Sequence, residues 1–160
     1  MTANLSAPAA LVVHAATHAD IPALVALENR CFNYDQIGLR SFRYFVTRSR
    51  AIVLCARLSQ APQLAGYVIA LQRKNSAIWR IYSIASAPEA RGKGVAKALI
   101  AHLLALAAAT ANITTLRLEV KCDNAPAIAL YRQLGFEVID VLPGYYSDGS
   151  DGYRLQFTFR

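Results

Sequence analysis

The stretch Ile84-Ala85-Ser86-Ala87-Pro88-Glu89-Ala90-Arg91-Gly92-Lys93-Gly94-Val95-Ala96 turns a strand into a helix through a loop with two glycines. Upstream, an apolar strand is expected from Ala77 to Ser86, and Pro88 breaks it. Downstream, a long helix runs through about Thr110 with Val95, Leu99, Leu103 and Leu106 on one apolar face. The start of a helix presents N–H groups without acceptors and the positive end of the macrodipole, which suits a phosphate-type anion. Gly92 and Gly94 permit backbone conformations and close approach that a Cβ would obstruct, and Arg91, Lys93 and Lys97 add positive charge. A P-loop would need Gly-Lys-Ser/Thr and a dinucleotide fold the three-glycine spacing; neither is present, so ATP and NAD lose ground. The duller alternative is ordinary turn chemistry with solvated lysines.

Toward the N-terminus, Leu11 to Ala16 is apolar and partly β-branched, as a strand would be. Asp20 and Pro22 supply an N-cap and an early proline for a helix bearing Leu24, Val25 and Leu27, ending near Cys31. Phe32 to Gln36 reads as a loop, and Leu39, Phe42, Phe45 and Val46 recur at helical spacing, with Arg40 and Arg43 on the other face. Ala51 to Ala56 and Leu64 to Leu71, on either side of Ser59-Gln60-Ala61-Pro62, read as an antiparallel hairpin. Beyond the long helix, Thr115 to Val120 is a strand. Asp123-Asn124 caps a helix carrying Ile128, Leu130 and Leu134, and Gly135 fits its C′ position. Phe136 to Leu142 and Tyr153 to Phe159 close the chain as strands. The order β-α-α-β-β-β-α-β-α-β-β predicts an α/β fold with a sheet of mixed direction. Residues 11–160 read as one domain behind a loose tail over residues 1–10.

From Ile84 to Ala96 the sequence resembles motif A of the GCN5-related N-acetyltransferases, Gln/Arg-x-x-Gly-x-Gly/Ala, with Arg91, Gly94 and Ala96 at its three defining places. Further on, Leu118-Glu119-Val120-Lys121-Cys122-Asp123-Asn124, Ala127-Ile128-Ala129-Leu130-Tyr131 and Leu134-Gly135-Phe136 resemble motif B of the branch that acetylates protein N-termini, typified by the ribosomal-protein alanine acetyltransferases. The resemblance spans roughly residues 11–160, carried by motifs from Ile81 to Phe136 and by pattern before that. It implies the acyl-CoA N-acyltransferase fold: a mixed central sheet of about six to seven strands flanked by about four helices, with the pantetheine arm of acetyl-CoA between two splayed parallel strands. It further implies that the backbone of Ile84, Ala85 and Ser86 pairs with the pantetheine and acetyl carbonyl. Gly92, Lys93, Gly94, Val95, Ala96 and Lys97, beside Arg91, would receive the pyrophosphate, and Asn124 would touch the cofactor arm. Asn at such a place is also an ordinary helix cap.

Acetyl transfer to an amine asks for a neutral nucleophile, a polarised thioester carbonyl and a proton for the departing thiolate. Glu119 is the one carboxylate on a predicted interior strand, and alternation sets it with Arg117 and Lys121, opposite Leu116, Leu118 and Val120. Taken alone, that fits a solvated residue paired with a neighbouring cation; the resemblance implies a general base acting through water. Tyr131 is by the same resemblance the acid for the thiolate or a donor to the thioester sulfur, and otherwise an amphipathic core tyrosine. Phe32 and Tyr34, with Tyr145 and Tyr146, match regions that line the acceptor groove in related enzymes, although aromatic loop residues also close core edges. Pro143-Gly144 stands where the ribosomal-protein enzymes carry basic residues, which counts against that particular substrate.

The 160 residues are 55% hydrophobic and 17% charged, the composition of a chain that buries a core. The apolar run Leu103 to Ala109 is far too short to span a bilayer, and residues 1–10 lack the basic and apolar regions of a secretory signal. Cys31, Cys55 and Cys122 are odd in number and widely spaced, so neither a disulfide framework, a zinc site nor another metal centre is expected, and a cytoplasmic location is the simplest. The net charge of +7 is uneven: Gln36 to Pro88 contains no acidic residue but holds Arg40, Arg43, Arg48, Arg50, Arg57, Arg73, Lys74 and Arg80. That half is either a solvated basic surface or a dock for an acidic or ribosomal partner. The expected reaction is acetyl transfer from acetyl-CoA to a protein or peptide α-amine, by a monomer or homodimer. A small-amine acetyltransferase, a non-catalytic acyl-CoA sensor and a nucleic-acid-binding module are the alternatives.

Overall fold

In the computed structural model, which describes residues 10–33, 35–59, 61 and 63–159, the chain runs β1 (Leu11–Ala15), α1 (Ile21–Cys31), α2 (Leu39–Thr47), β2 (Ala51–Leu58), β3 (Leu64–Gln72), β4 (Ile78–Ser86), α3 (Val95–Ala109), β5 (Thr115–Lys121), α4 (Ala125–Gln133), β6 (Glu137–Leu142) and β7 (Gly152–Thr158). Short 3-10 turns at His18–Asp20 and Pro88–Ala90 lead into α1 and toward α3. The element order is the one the sequence pattern predicts. The strands form one mixed sheet in the order β1-β2-β3-β4-β5-β7-β6, antiparallel throughout except at β4–β5. Residues 1–9 and Tyr34 lie outside the described residues, so the expected tail and one expected groove residue are not characterised.

Alternation along β3 assigns the helices to faces. Tyr67 points to α1 and α2, with its ring edge-on to Phe42 at 5.7 Å and its hydroxyl on Glu28. Gly66 points the other way, toward Val95 and Leu99 of α3. The core therefore has two layers, one under α1 and α2 and one under α3, and β2 and β3 are buried on both sides. Strands covered on both faces read as continuous apolar runs, as Ala51–Ala56 and Leu64–Leu71 do.

Two expectations are corrected. Leu106 is 36% exposed, and the face of α3 that meets the sheet is Val95, Leu99, Ile100, Leu103 and Ala107. In a helix this rich in alanine the stripe is poorly marked, and the contact turns toward Ile100. Full burial of Leu99, Ile100 and Leu103 contributes about 1.5–3 kcal/mol each. Asp20 does precede α1, but its carboxylate turns back instead of capping that helix. It accepts the Thr17 N–H at 2.8 Å and pairs with Arg57 at 2.9 Å. Burial opposes the charge on Asp20, yet these two partners outweigh it and hold the carboxyl below its ordinary value. His14, Asp20 and Cys55 bring possible ligand atoms within 4.8 Å of one another, but Arg57 donates to both His14 and Asp20, and burial pushes the Cys55 thiol up to about 12. Their arrangement is a cross-braced ion pair holding α1's entry turn against β1 and β2. No helix among the described residues is long and apolar enough to cross a membrane.

Candidate active site

The parallel pairing of β4 with β5 covers only Ile78–Arg80 against Thr115–Arg117. Beyond it β4 continues to Ser86 along β3, and β5 continues to Lys121 along β7, so the two strands part and leave a gap. A bulge in β4 drives the separation. Ile69 pairs with Ser83 while Ala70 pairs with Ile81, which leaves Tyr82 over. Successive residues then share one face: Tyr82 packs on Phe45 of α2 at 5.3 Å, and Ser83 bonds the Tyr67 hydroxyl at 2.9 Å. Such an insertion bends a strand and increases its twist. The edge of β4 that includes Ile84, Ala85 and Ser86 thereby faces the gap instead of another strand.

The glycine loop lies at the gap's mouth. Gly92 and Gly94 both have φ of +79°, and a Cβ on either would meet nothing within 4 Å. Glycine is required there by the backbone angle, not by crowding, and the space above the loop is open. Gly94 O accepts the Ala98 N–H at 3.0 Å, so the amides of Val95, Ala96 and Lys97 have no acceptor inside the helix. Arg91, Lys93 and Lys97 stand exposed around them. A bidentate pair from Arg30 to Glu89 ties the preceding turn to α1.

Glu119 sits on the α1/α2 face at the inner end of the gap, its side chain 7% exposed. It receives Arg80 Nε at 3.0 Å and Arg154 Nε at 3.4 Å, and Arg80 also donates to the Tyr145 hydroxyl at 3.2 Å. The alternation read from the sequence holds, since Leu116, Leu118 and Val120 are buried on the opposite side. The Glu119 partners, however, come from β4 and β7, not from Arg117 or Lys121. Arg117 bonds Gln156 at 2.8 Å, and Lys121 pairs with Asp148 at 2.8 Å.

Tyr131 approaches from the other face. It packs edge-on against Phe136, which meets Phe157, the cross-strand partner of Leu116. Among the described residues its hydroxyl makes no hydrogen bond, and burial pushes the phenol up to about 12. Glu119 and Tyr131 thus approach β5 from opposite faces, and Tyr146 lies within electrostatic reach of both. Asn124 is the N-cap of α4, its oxygen accepting the Ala127 N–H at 3.3 Å, which leaves its amide nitrogen to donate elsewhere. Tyr145 and Tyr146 stack edge-on at 5.1 Å beside Glu119, and burial pushes the Tyr146 phenol up to about 12. Phe32 packs against the core at the end of α1.

Sequence reasoning missed Glu28. It is 2% exposed and accepts the Tyr67 hydroxyl and, at 3.1 Å, the Ile37 N–H. One carboxylate thus joins α1, the α1–α2 loop and, through Tyr67 and Ser83, the β4 bulge. A glutamate among Leu27, Asn29 and Arg30 gives no local sign of this; the only hint is an acidic residue on the buried stripe of an amphipathic helix. Gly66 was missed too. A Cβ there would lie 2.6 Å from Val95 Cγ1 and 2.7 Å from Ala85 O, so its absence lets the start of α3 rest on the strand pair that borders the gap.

The family model described as "Acetyltransferase (GNAT) family" matches residues 21–136. The [ribosomal protein bS18]-alanine N-acetyltransferase of Escherichia coli K12 is 30% identical over 134 residues, 82% of this chain and 86% of that one. An N-alpha-acetyltransferase of Saccharolobus solfataricus is 42% identical over 75 residues, 47% of this chain and 45% of that one. An uncharacterised Mycobacterium leprae protein is 33% identical over 150 residues, 91% of this chain, and the chain spans 40% of its length. The chain thus spans less than half of the latter two relatives. Among solved structures, the ribosomal-protein-S18-alanine N-acetyltransferase from Escherichia coli superposes with a TM-score of 0.81 at 25% identity, covering 93% of this chain and 94% of that one. Arabidopsis thaliana NAA60, in complex with a bisubstrate analogue, superposes with a TM-score of 0.82 at 20% identity, covering 93% and 98%, a likeness of fold. From the splayed strands, the glycine turn at the head of α3 and the extent of these matches, the chain belongs to the acetyltransferase (GNAT) family.

Proposed function

We propose that the protein transfers an acetyl group from acetyl-CoA to the α-amine of a protein or peptide, by direct attack while both substrates are bound. The observation that carries this reading is the gap between β4 and β5, with the glycine turn and the unpaired first-turn amides of α3 at its mouth and the carboxylate of Glu119 at its inner end. The residues fit acetyl-CoA. An open cradle at Gly92 and Gly94 with the first-turn amides of α3 suits a pyrophosphate, and the β4 edge at Ile84, Ala85 and Ser86 offers backbone groups to a pantetheine amide and the acetyl carbonyl. Acetyl-CoA supplies an activated thioester; the remaining work falls to the chain.

Basicity favours an α-amine. At pH 7 an amine of reference pKa ~8 costs about 1.4 kcal/mol to deprotonate, whereas a lysine near ~10.4 costs about 4.6 kcal/mol. Glu119 already accepts from two guanidiniums, and its remaining acceptor positions are enough to orient a water or an amine that loses its proton readily. Tyr131, with its phenol at about 12, stays protonated through the neutral range. Outright transfer of that proton to a thiolate of ordinary basicity (~8.5) runs uphill, so its larger contribution is a hydrogen bond to sulfur as the C–S bond lengthens. Phe32, Tyr145 and Tyr146 would line the acceptor's approach. The similarity to N-terminal acetyltransferases over the motif region agrees with this reading.

The test is thiol release from acetyl-CoA with two parallel pools, one of peptides with free N-termini and one of small amines including polyamines, products being read by mass spectrometry. Acetylation confined to peptide α-amines is expected. Acetylation confined to small amines would overturn the assignment, and release with neither pool would leave a binding module.

A further inference from the structure

On the α1/α2 face, past the end of α2, a cavity of about 600 Å³ opens beside Glu119 and Tyr145 and runs down the sheet to the β3–β4 turn. Its walls carry six guanidiniums, from Arg48, Arg50, Arg73, Arg80, Arg117 and Arg154, against the single carboxylate of Glu119. Arg80 and Arg154 are engaged by Glu119, with Arg154 also 3.9 Å from Asp140. The other four face no carboxylate among the described residues: Arg48 lies over the Tyr44 ring at 4.9 Å, Arg117 bonds the neutral Gln156, and Arg50 and Arg73 are exposed. For Arg48, Arg50 and Arg73 the surrounding sequence offers no counter-charge, since residues 36–88 contain no acid. Four like charges gathered in one concavity repel one another unless an anion joins them, and a guanidinium fork matches a carboxylate in both shape and charge.

We infer that this cavity selects acceptors whose chain beyond the amine is acidic, taking the side-chain carboxylates of residues three to five of a peptide. The inference rests on the acceptor reading above and names its substrate class. Arg73 lies one step past the Gln72–Trp79 pair and Glu119 two steps past the Arg80–Arg117 pair, so four residues along and two strands across separate them, roughly 16 Å. An extended peptide with its amine near Glu119 covers that in about five residues, and the reach of an arginine side chain shortens it to three or four. A single-stranded nucleic acid fits less well, because the lining offers few aromatic faces for bases and Tyr82 is already packed on Phe45.

The test uses three peptides with the same first two residues and Glu/Asp, Gln/Asn or Lys at positions three to five. Acetylation is followed by thiol release, and binding by calorimetry with CoA present so that no turnover is needed. The acidic peptide is expected to show a KM and a Kd at least about tenfold below those of the neutral twin at low salt, the advantage shrinking toward unity near 0.5 M NaCl. Arg50→Ser with Arg73→Ser should remove the difference, whereas Arg43→Ser, an exposed arginine of α2 outside the cavity, should keep it. Equal affinities for the three peptides, a preference that survives the double substitution, or an oligonucleotide that displaces the acidic peptide would each overturn the inference. Acetylation of all three without preference would leave the α-amine assignment standing alone; tight binding of the acidic peptide without acetylation would do the reverse.

Discussion

Gly66→Ala tests whether the close approach of α3 to the sheet sets up the glycine turn proposed to hold the pyrophosphate. The added Cβ would lie 2.6 Å from Val95 Cγ1, 2.7 Å from Ala85 O and 3.3 Å from Leu99 Cδ1. A side-chain methyl can swing aside, but Ala85 O belongs to a strand held along β3, so the strand pair or the helix must move. Overpacking of this kind costs about 1–3 kcal/mol. For a chain of this size that lowers Tm by roughly 3–9 °C. Because Val95 is the first residue of α3 and Ala85 borders the gap, the same displacement tilts the amides that would hold the pyrophosphate, and acetyl-CoA affinity should fall by about tenfold or more, a loss of about 1.4 kcal/mol. Thermal denaturation and calorimetric titration with CoA read the two effects. Val95→Ala in the same background removes the 2.6 Å contact and leaves the one to Ala85 O, so only partial rescue is expected. An unchanged Tm together with an unchanged CoA affinity would refute the reasoning, and complete rescue would show that the backbone contact carries no cost.

Three further outcomes are expected. Tyr131→Phe should lower kcat by roughly tenfold to a hundredfold, the range of one bond to developing charge, with Tm and CoA affinity nearly unchanged because the hydroxyl makes no hydrogen bond among the described residues; undiminished turnover removes Tyr131 from the chemistry. Glu28→Gln should cost about 1–3 kcal/mol of stability and raise the acceptor KM more than the acetyl-CoA KM, since Glu28 positions the α1–α2 loop through Ile37; equal shifts in both would mark a purely structural role. Stability should decline above pH 9, because burial pushes up Cys55 and Tyr131 to about 12 and Tyr67 higher still. Their raised folded values favour the protonated fold, so this contribution is full below the ordinary thiol and phenol range and is lost as pH climbs through 12. A denaturation profile flat from pH 8 to 12 would contradict it.

The sequence was most legible where chemistry is local. Gly92 and Gly94 before an apolar helix, Asn124 before Ala127, and Gly135 after Leu134 each act within one turn of chain, and the structure shows φ of +79° at the first pair and +102° at Gly135. The isolation of Glu119 from Leu116, Leu118 and Val120 follows from a period of two and was equally readable. Its partners were not, because Arg80 and Arg154 lie 39 and 35 positions away and meet it only through strand register. The same holds for Glu28 with Tyr67 and for Arg57 with Asp20, pairs that exist only once the hairpin has folded back on the first helix. The bulge at Tyr82 leaves no mark in Ile81-Tyr82-Ser83-Ile84, since its cause is the pairing on both sides and not the residues themselves.

Three rows of parallel pairing, Ile78–Arg80 with Thr115–Arg117, are the whole strand ladder that joins β1–β4 to β5–β7–β6 among the described residues. Mechanically the sheet is two plates joined by a short seam at one end, and whatever enters between them becomes a second fastener at the other. Substrate affinity and plate-to-plate stiffness are then one quantity measured in two ways. A loaded molecule should resist amide exchange along β4 and the outer half of β5 in proportion to how tightly it holds its ligand, while the outer pairs β1–β2 and β6–β7 exchange at the same pace in either state.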